Sequence, residues 1–160
     1  IAVGAHFGVA FEDAVKAIES YEPSNKRSQM TKTERNTLIV DAYNANPTSM
    51  AAALENFSNV SAKSKVVLLG DMLELGEESV TEHVAVIRSA CSRRLSMICF
   101  VGKEFKEASA QVPADMLENA HFFATSDELA AYLTENPLSG SVVLIKGSRG
   151  TRMENVIPSL

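Results

Sequence analysis

A short polar segment at residues 41–47, Asp41-Ala-Tyr-Asn-Ala-Asn-Pro47, follows the apolar run of residues 37–40. A carboxylate placed where a strand ends can accept hydrogen bonds from a ribose diol, and side-chain amides can bond to a base or a phosphate. Asp41, Asn44 and Asn46 are therefore candidates for binding a nucleotide. The same residues also suit purely structural roles, Asp41 as a turn or capping residue and the asparagines as turn and cap residues.

A second polar segment, Lys146-Gly-Ser-Arg149, follows the apolar run of residues 141–145. It places two cations and a hydroxyl beside a glycine that lets the backbone approach a ligand closely. This combination suits a carboxylate or a phosphate, which makes Lys146, Ser148 and Arg149 candidates for binding a substrate. A solvated loop is the alternative interpretation.

A third segment, Gly70-Asp71, is followed by acidic residues that could suggest a site for a hard cation. Glu77 and Glu78 fall in the first turn of a predicted helix, where the helix dipole favours acids, and the carboxylates lack a regular ligand spacing. We therefore predict no metal site. His83 lies on the inward stripe of that helix and is predicted to be a core residue, and nothing in the sequence supports a nucleophilic triad.

Composition and length limit the classes of function. The 160 residues can hold one full α/β domain, and a net charge of -5 offers no basic face for a nucleic acid. No apolar run approaches the ~18 residues that cross a bilayer, and no secretory signal is recognisable, so we expect a cytoplasmic protein without membrane insertion. Because the chain begins at Ile1 inside an apolar pattern, we expect that it was excised from something longer.

The elements that position these segments alternate along the chain. Continuously apolar runs predict strands buried on both faces, and their alternation with helices favours a mainly parallel sheet. We therefore predict a Rossmann-like three-layer α/β sandwich, with residues 29–32 as a short edge strand that could run antiparallel. The other predicted strands cover residues 37–41, 65–69, 97–101, 121–124 and 141–145, and the predicted helices cover residues 10–22, 47–57, 77–94, 103–111, 126–135 and a final stretch from about 150.

Three motifs together resemble the Mur ligase family, and within it the type that adds D-alanyl-D-alanine. They are Asp41-Ala-Tyr-Asn-Ala-Asn-Pro-Thr-Ser-Met50, Leu69-Gly-Asp-Met-Leu-Glu-Leu-Gly76 with His83 downstream, and Leu144-Ile-Lys-Gly-Ser-Arg149. By this resemblance residues 23–160 are the carboxyl-terminal domain, and residues 1–22 look like the tail of the central ATPase domain. The Val-Gly-Lys-Glu104 sequence after the third core strand differs from the Asp-Asn-Pro-Arg of ligases that add a diamino acid.

The resemblance implies an ATP-dependent ligase of peptidoglycan synthesis that joins D-alanyl-D-alanine to UDP-N-acetylmuramoyl-tripeptide through an acyl phosphate. ATP and Mg²⁺ would be bound mainly by the central domain, so this fragment would be inactive alone and would work with its own amino-terminal and central domains. The phosphate loop Gly-x-x-x-x-Gly-Lys-Ser/Thr is not in this sequence. The alternative is a non-catalytic Rossmann-like module that binds a nucleotide or a small acid.

The resemblance also implies roles for single residues. Arg27 would reach an ATP phosphate, although the sequence here reads Asn-Lys-Arg rather than the commoner Gly-Arg. Asp41 would lie near the ribose, and the loop with Asn44 and Asn46 would border the nucleotide. The loop of residues 146–149 would face the incoming dipeptide, and no residue of this fragment alone is expected to be catalytic.

Overall fold

The computed structural model describes residues 1–21 and 29–160, so Arg27 lies outside the described residues. The described residues form a six-stranded sheet whose strands are β1 (Gln29–Lys32), β2 (Thr37–Asp41), β3 (Ser64–Gly70), β4 (Met97–Val101), β5 (Ala120–Phe123) and β6 (Ser141–Lys146). The order across the sheet is β1-β2-β6-β3-β4-β5. Strand β1 pairs antiparallel with β2, whereas the other strand pairs are parallel. The predicted mainly parallel sheet with an antiparallel edge is confirmed.

The helices alternate with the strands as predicted. They are α1 (Ala2–His6), α2 (Phe11–Glu19), α3 (Pro47–Ser58), α4 (Ser79–Cys91), α5 (Lys103–Ser109) and α6 (Ser126–Glu135). The predicted final helix is wrong in type, because the chain ends in two 3-10 segments, Arg149–Thr151 and Met153–Ser159. Arg152 between them has a left-handed backbone (φ 46°), and Pro158 has no N–H group for a helical hydrogen bond.

Helices cover both faces of the sheet and create two apolar layers. Helices α3, α4 and α5 pack on one face, where their buried residues join Val67 and Leu69 of β3. Helix α6 and the segment Met153–Ser159 pack on the other face, together with Val66 and Leu68. The alternate residues of β3 therefore serve different cores, which explains why this strand is apolar without interruption.

We call the loops that follow β2, β3, β4 and β6 at the carboxyl edge of the sheet the rim. Helix α3 shows how the sequence fixes the start of a helix beside this rim. The Asn46 side chain accepts a hydrogen bond from the Ser49 backbone N–H (2.8 Å), and the Ser49 hydroxyl accepts one from the Asn46 N–H (3.1 Å). This capping box, followed by Pro47 in the first turn, fixes the point at which the chain leaves β2. Met50, Leu54 and Phe57 then lie on the buried face of the helix.

The first 21 residues differ from the rest of the described chain in burial. Neither α1 nor α2 contains a buried residue, although α2 is strongly amphipathic. On its apolar stripe Phe11 and Ile18 are exposed, whereas Ala14 and Val15 are half-buried. The other large apolar side chains exposed here are Ile1, Val3, Phe7, Val9 and Tyr21. In residues 1–21 and 29–160, no helix is both long enough and apolar enough to cross a membrane.

The topology opens two crevices at the carboxyl edge of the sheet. Neighbouring strands β2 and β6 are followed by elements on opposite faces, α3 and the segment Met153–Ser159. Neighbouring strands β4 and β5 are likewise followed by α5 on one face and α6 on the other. Ligands of open α/β sheets bind at such switch points. Strands β6 and β3 also lead to opposite faces, but there the Ser148 N–H donates to the Asp71 carbonyl oxygen (3.1 Å) and joins the two loops. The other two places along this edge are therefore the ones considered for binding.

Candidate functional site

An ion pair between Asp41 and Lys146 lies in the first of these crevices. The parallel register places the two residues side by side at the ends of β2 and β6. The Lys146 Nζ donates to Asp41 Oδ2 (2.6 Å) and to the Asn44 carbonyl oxygen (3.1 Å). Lys146 is 1% exposed, whereas the Asp41 side chain is 23% exposed. From the sequence, Asp41 was expected to bind a nucleotide and Lys146 a substrate. The structure instead pairs their side chains with each other.

The two asparagines of this loop make the local hydrogen bonds expected of turn and cap residues. Asn44 accepts a hydrogen bond from the Ala45 N–H (2.8 Å) through its side-chain oxygen. Asn46 caps α3. Their positions beside Asp41 keep them at the edge of the same crevice, so the structural role and a ligand role are compatible.

Ser148 connects three of the rim loops to one another. Its backbone N–H donates to the Asp71 carbonyl oxygen (3.1 Å), and its hydroxyl oxygen accepts a hydrogen bond from the Leu73 N–H (2.9 Å). The same hydroxyl donates to the Ala45 carbonyl oxygen at 3.5 Å. Ser148 is buried, while Arg149 beside it is exposed. Of the three predicted substrate-binding residues, Arg149 alone is exposed, and the other two hold the rim together.

Asp71 at the end of β3 joins this strand to the neighbouring loop. Its two carboxylate oxygens accept hydrogen bonds from the backbone N–H groups of Glu104 (3.0 Å) and Phe105 (2.9 Å). Helix α5 starts after Gly102, which has no side chain to cap it, and Asp71 supplies the cap from the next strand. Burial raises the pKa of the Asp71 carboxyl, and the two N–H donors oppose that rise.

His83 supports the same rim from inside the core. Its Nε2 accepts a hydrogen bond from the Met72 N–H (3.1 Å), and its Nδ1 lies 2.7 Å from the Ser79 carbonyl oxygen. These two contacts place the ring proton on Nδ1, because a carbonyl oxygen can only accept. His83 is fully buried, which confirms that it is a core histidine. The supporting roles of Asp71 and Ser148 were missed from the sequence.

The second crevice contains a cavity of about 300 Å³ at the ends of β3, β4 and β5. Its lining includes Gly102, Lys103, residues 124–127 and residues 150–152. A smaller cavity of about 190 Å³ lies beside Asp41 and is lined mainly by apolar residues of β2, β6 and α3. Among the described residues, no group of three or more His, Cys, Asp and Glu side chains is arranged to hold a metal ion.

The Asp71 cap makes Gly102 sensitive to substitution. Gly102 has a φ of 122°, and an added Cβ would overlap the Asp71 carboxylate. Gly140 also has a positive φ of 66°, but its Cβ would meet nothing within 4 Å. We expect Gly140→Ala to cost about 1–2 kcal/mol of unfolding free energy from backbone strain alone. Gly102→Ala should cost a further ~2–3 kcal/mol, because hydrogen bonds to a charged group are lost as well. Urea unfolding of both variants measures the difference, and equal losses would contradict the role of Asp71.

The buried Lys146 ammonium predicts a second stability effect. Replacing Lys146 by Met leaves Asp41 without its partner and should lower the free energy of unfolding by about 3 kcal/mol. The double variant Lys146→Met/Asp41→Leu should recover much of that loss, because an apolar pair can replace a buried ion pair. Glu55→Gln, at the surface pair of Glu55 with Arg93, is the control and should change stability by less than about 1 kcal/mol. A Lys146→Met variant as stable as the parent chain would contradict this prediction.

Comparison with known proteins places the chain in a family. A family model described as Mur ligase, glutamate ligase domain, matches residues 26–149. UDP-N-acetylmuramoyl-tripeptide--D-alanyl-D-alanine ligases from Bacillus subtilis and Treponema pallidum are 34% and 36% identical to it over the whole chain. The chain spans only about a third of the length of these curated relatives, 36% and 35% respectively.

Solved structures show the same relationship. A crystal structure of MurF from Acinetobacter baumannii matches with a TM-score of 0.86 and 31% identity, over 98% of this chain and 35% of that one. MurF ligase from Thermotoga maritima, solved in complex with ADP, has the same fold, with a TM-score of 0.73 and 22% identity over 99% of this chain and 35% of that one. With these motifs on one rim, and with a family match over most of its length, the chain belongs to the Mur ligase family through its glutamate ligase domain.

Proposed function

We propose that this chain is the carboxyl-terminal domain of an ATP-dependent ligase that joins D-alanyl-D-alanine to UDP-N-acetylmuramoyl-tripeptide in peptidoglycan synthesis. The observation that carries the proposal is the convergence of all three motifs on one edge of the sheet. There Lys146 and Ser148 bond the loops to one another. The similarity of the whole chain to the UDP-N-acetylmuramoyl-tripeptide--D-alanyl-D-alanine ligases of Bacillus subtilis and Treponema pallidum supports the same conclusion.

The proposed reaction has two steps. The tripeptide carboxylate attacks the terminal phosphate of ATP, which gives an acyl phosphate and ADP. The free amine of D-alanyl-D-alanine then attacks the acyl carbonyl carbon, a C–N bond forms, and the C–O bond to phosphate breaks. Phosphate leaves with the bonding electron pair, and the amine loses a proton. The task of this domain is to hold the nucleotide and the dipeptide in position and to exclude water, both of which contribute to rate.

The nucleotide is proposed to lie in the crevice between β2 and β6. The partly exposed Asp41 carboxylate is available there to a ribose diol, and Asn44 and Asn46 border it. Arg27, which lies outside the described residues, is proposed to reach a phosphate.

Magnesium would neutralise phosphate charge during transfer and is proposed to be held mainly by the central domain. Residues 1–22 are proposed to be the tail of that central domain. The exposed apolar side chains of α1 and α2 would then be covered by the remainder of the domain.

The dipeptide is proposed to face the loop of residues 146–149. Lys146 and Ser148 would shape the loop through their bonds to Asp41 and Leu73, and Arg149 is its exposed cation. The pair of Lys146 with Asp41 therefore connects the loop that faces the dipeptide with the loop that borders the nucleotide. Binding of one substrate would fix the geometry that the other meets.

Phosphate release by the full-length protein tests the proposed reaction. With ATP and UDP-N-acetylmuramoyl-tripeptide present, we expect sustained release that requires D-alanyl-D-alanine. Asp41→Asn should raise the KM for ATP by about tenfold, since a hydrogen bond to a charged group is weakened, and should change the KM for the dipeptide much less.

Thermal unfolding of the Asp41→Asn protein provides the control for a folding defect. Equal changes in both KM values would show that Asp41 does not serve the nucleotide. Nucleotide binding without any dipeptide-dependent release would instead favour a non-catalytic binding module and would overturn the ligase proposal.

A further inference from the structure

Three successive backbone N–H groups of the loop after β3 donate to three different parts of the fold. The Asp71 N–H donates to a backbone carbonyl oxygen of β4 (3.0 Å), and the Leu73 N–H donates to the Ser148 hydroxyl (2.9 Å). Between them, the Met72 N–H donates to His83 Nε2 (3.1 Å). Of these acceptors, the imidazole is the one whose charge ordinarily changes between about pH 5 and 8.

The His83 ring accepts this hydrogen bond in only one protonation state. Its Nδ1 lies 2.7 Å from the Ser79 carbonyl oxygen, which can only accept, so the single proton of the neutral ring lies on Nδ1. Nε2 then has a lone pair for the Met72 N–H. A second proton has to bind at Nε2, where it turns the acceptor into a donor that faces another donor. Protonation of His83 therefore breaks the hydrogen bond to Met72.

Two carboxylates face the ring. Asp71 Oδ1 lies 3.7 Å from His83 Nε2, and both side chains are buried. Glu104 of α5 accepts a hydrogen bond from the Ser79 hydroxyl (2.6 Å), which lies 3.4 Å from Nδ1. Both carboxylates favour a charged ring, whereas burial and the loss of the Met72 bond oppose it. Asp71 is also the acceptor in place for a proton on Nε2, so a charged ring exchanges Met72 for Asp71 as its partner.

Release of Met72 reaches the rest of the rim, because the residues on either side of it are bonded to Ser148. The Leu73 N–H donates to the Ser148 hydroxyl, and the Asp71 carbonyl oxygen accepts from the Ser148 N–H (3.1 Å). The same hydroxyl donates to the Ala45 carbonyl oxygen on the loop after β2 (3.5 Å). The charge of one core histidine therefore affects the contacts that join the loops after β2, β3 and β6.

We propose that neutral His83 is a positioning residue that holds the loop after β3 in its active geometry, and that protonation of the ring releases this loop and lowers turnover at acidic pH. The inference rests on the proposed ligase function and adds how that function depends on pH. The active arrangement needs the neutral ring, so it is present at high pH and is lost as the pH falls. Because His83 is fully buried, it acts through the loop, and the effect belongs in kcat.

Phosphate release by the full-length protein at saturating substrates, measured from about pH 5.5 to 8.5, tests the proposal. His83→Gln is the decisive variant, because its side-chain oxygen can accept from the Met72 N–H and does not titrate. At about pH 8 it should keep kcat within about fivefold of the parent. Between about pH 8 and about pH 6 the parent should lose about ten times more of its kcat than His83→Gln does, which is the effect of leaving a buried N–H group unpaired. His83→Leu, which cannot accept, should have a low kcat throughout.

Two controls accompany these variants. His121 lies on β5 beside the Tyr132 ring, with the ring centroids 5.6 Å apart, so His121→Gln should keep the pH profile of the parent. The amine of the dipeptide also titrates in this range, but it contributes equally to every protein compared. Thermal unfolding of each variant identifies a folding defect.

Hydrogen exchange provides a readout that does not depend on activity. Mass spectrometry of the same full-length proteins follows the peptides that cover residues 71–75, after correction for the intrinsic pH dependence of exchange. Between about pH 8 and about pH 6 the parent should lose about tenfold in protection there, and His83→Gln should not.

The outcomes separate this inference from the proposed function. A fall in kcat as steep in His83→Gln as in the parent, or a folded His83→Gln protein that is inactive even at about pH 8, would overturn the role of His83 while the ligase function stands. Protection of residues 71–75 that does not change with pH in the parent would overturn it as well, and this measurement decides if His83→Gln does not fold. Absence of dipeptide-dependent phosphate release in the parent would overturn the proposed function, and hydrogen exchange would still test the link between His83 and the loop.

Discussion

The Lys146 ammonium is almost fully buried at the carboxyl edge of the sheet, and much of the rim is organised around that charge. A buried ammonium is tolerated only where a carboxylate and further acceptors satisfy it. Asp41 and the Asn44 carbonyl oxygen do so here, so residues 41–44 are held against the end of β6. This arrangement requires β6 to lie beside β2, because only that strand order places Lys146 and Asp41 in register.

The other rim loops are attached to this pair by hydrogen bonds from buried groups. Ser148 bonds to the loops after β2 and β3, Asp71 bonds to the loop after β4, and His83 supports Met72 from below. Each of these groups makes its hydrogen bonds within the protein rather than with a ligand. The side chains that remain available for ligands, such as Arg149, are exposed. They lie on loops that these hydrogen bonds hold in place. Such support is what a precise binding site requires.

Much of the fold followed from local sequence signals. Continuous apolar runs predicted the core strands, since both faces of each strand are covered, and the Asn46-Pro47 signal predicted the start of α3 correctly. The 3-10 form of the last segment was missed, because the left-handed backbone at Arg152 has no signal in its residue type. The buried position of His83 was predicted from its place on the apolar stripe of α4.

The arrangement of the site was harder to predict, because it depends on strand order. Asp41 and Lys146 are 105 residues apart, and nothing in either segment indicates that β6 is inserted between β2 and β3. The cavity of about 300 Å³ could not be predicted for the same reason, because its lining combines residues that follow four different strands. The motifs could therefore be recognised one by one, whereas their division between two crevices required the structure.

One set of hydrogen bonds connects the two crevices of this domain. Strand β6 forms one side of the Asp41 crevice, and the chain that follows it forms a wall of the cavity near β4 and β5. Ser148 lies between these parts and is bonded on both sides. A shift of the loop after β2 would therefore move the junction next to that cavity. Because a reaction between two bound molecules depends steeply on their separation, a rigid link of this kind favours productive geometry only when both crevices are correctly formed.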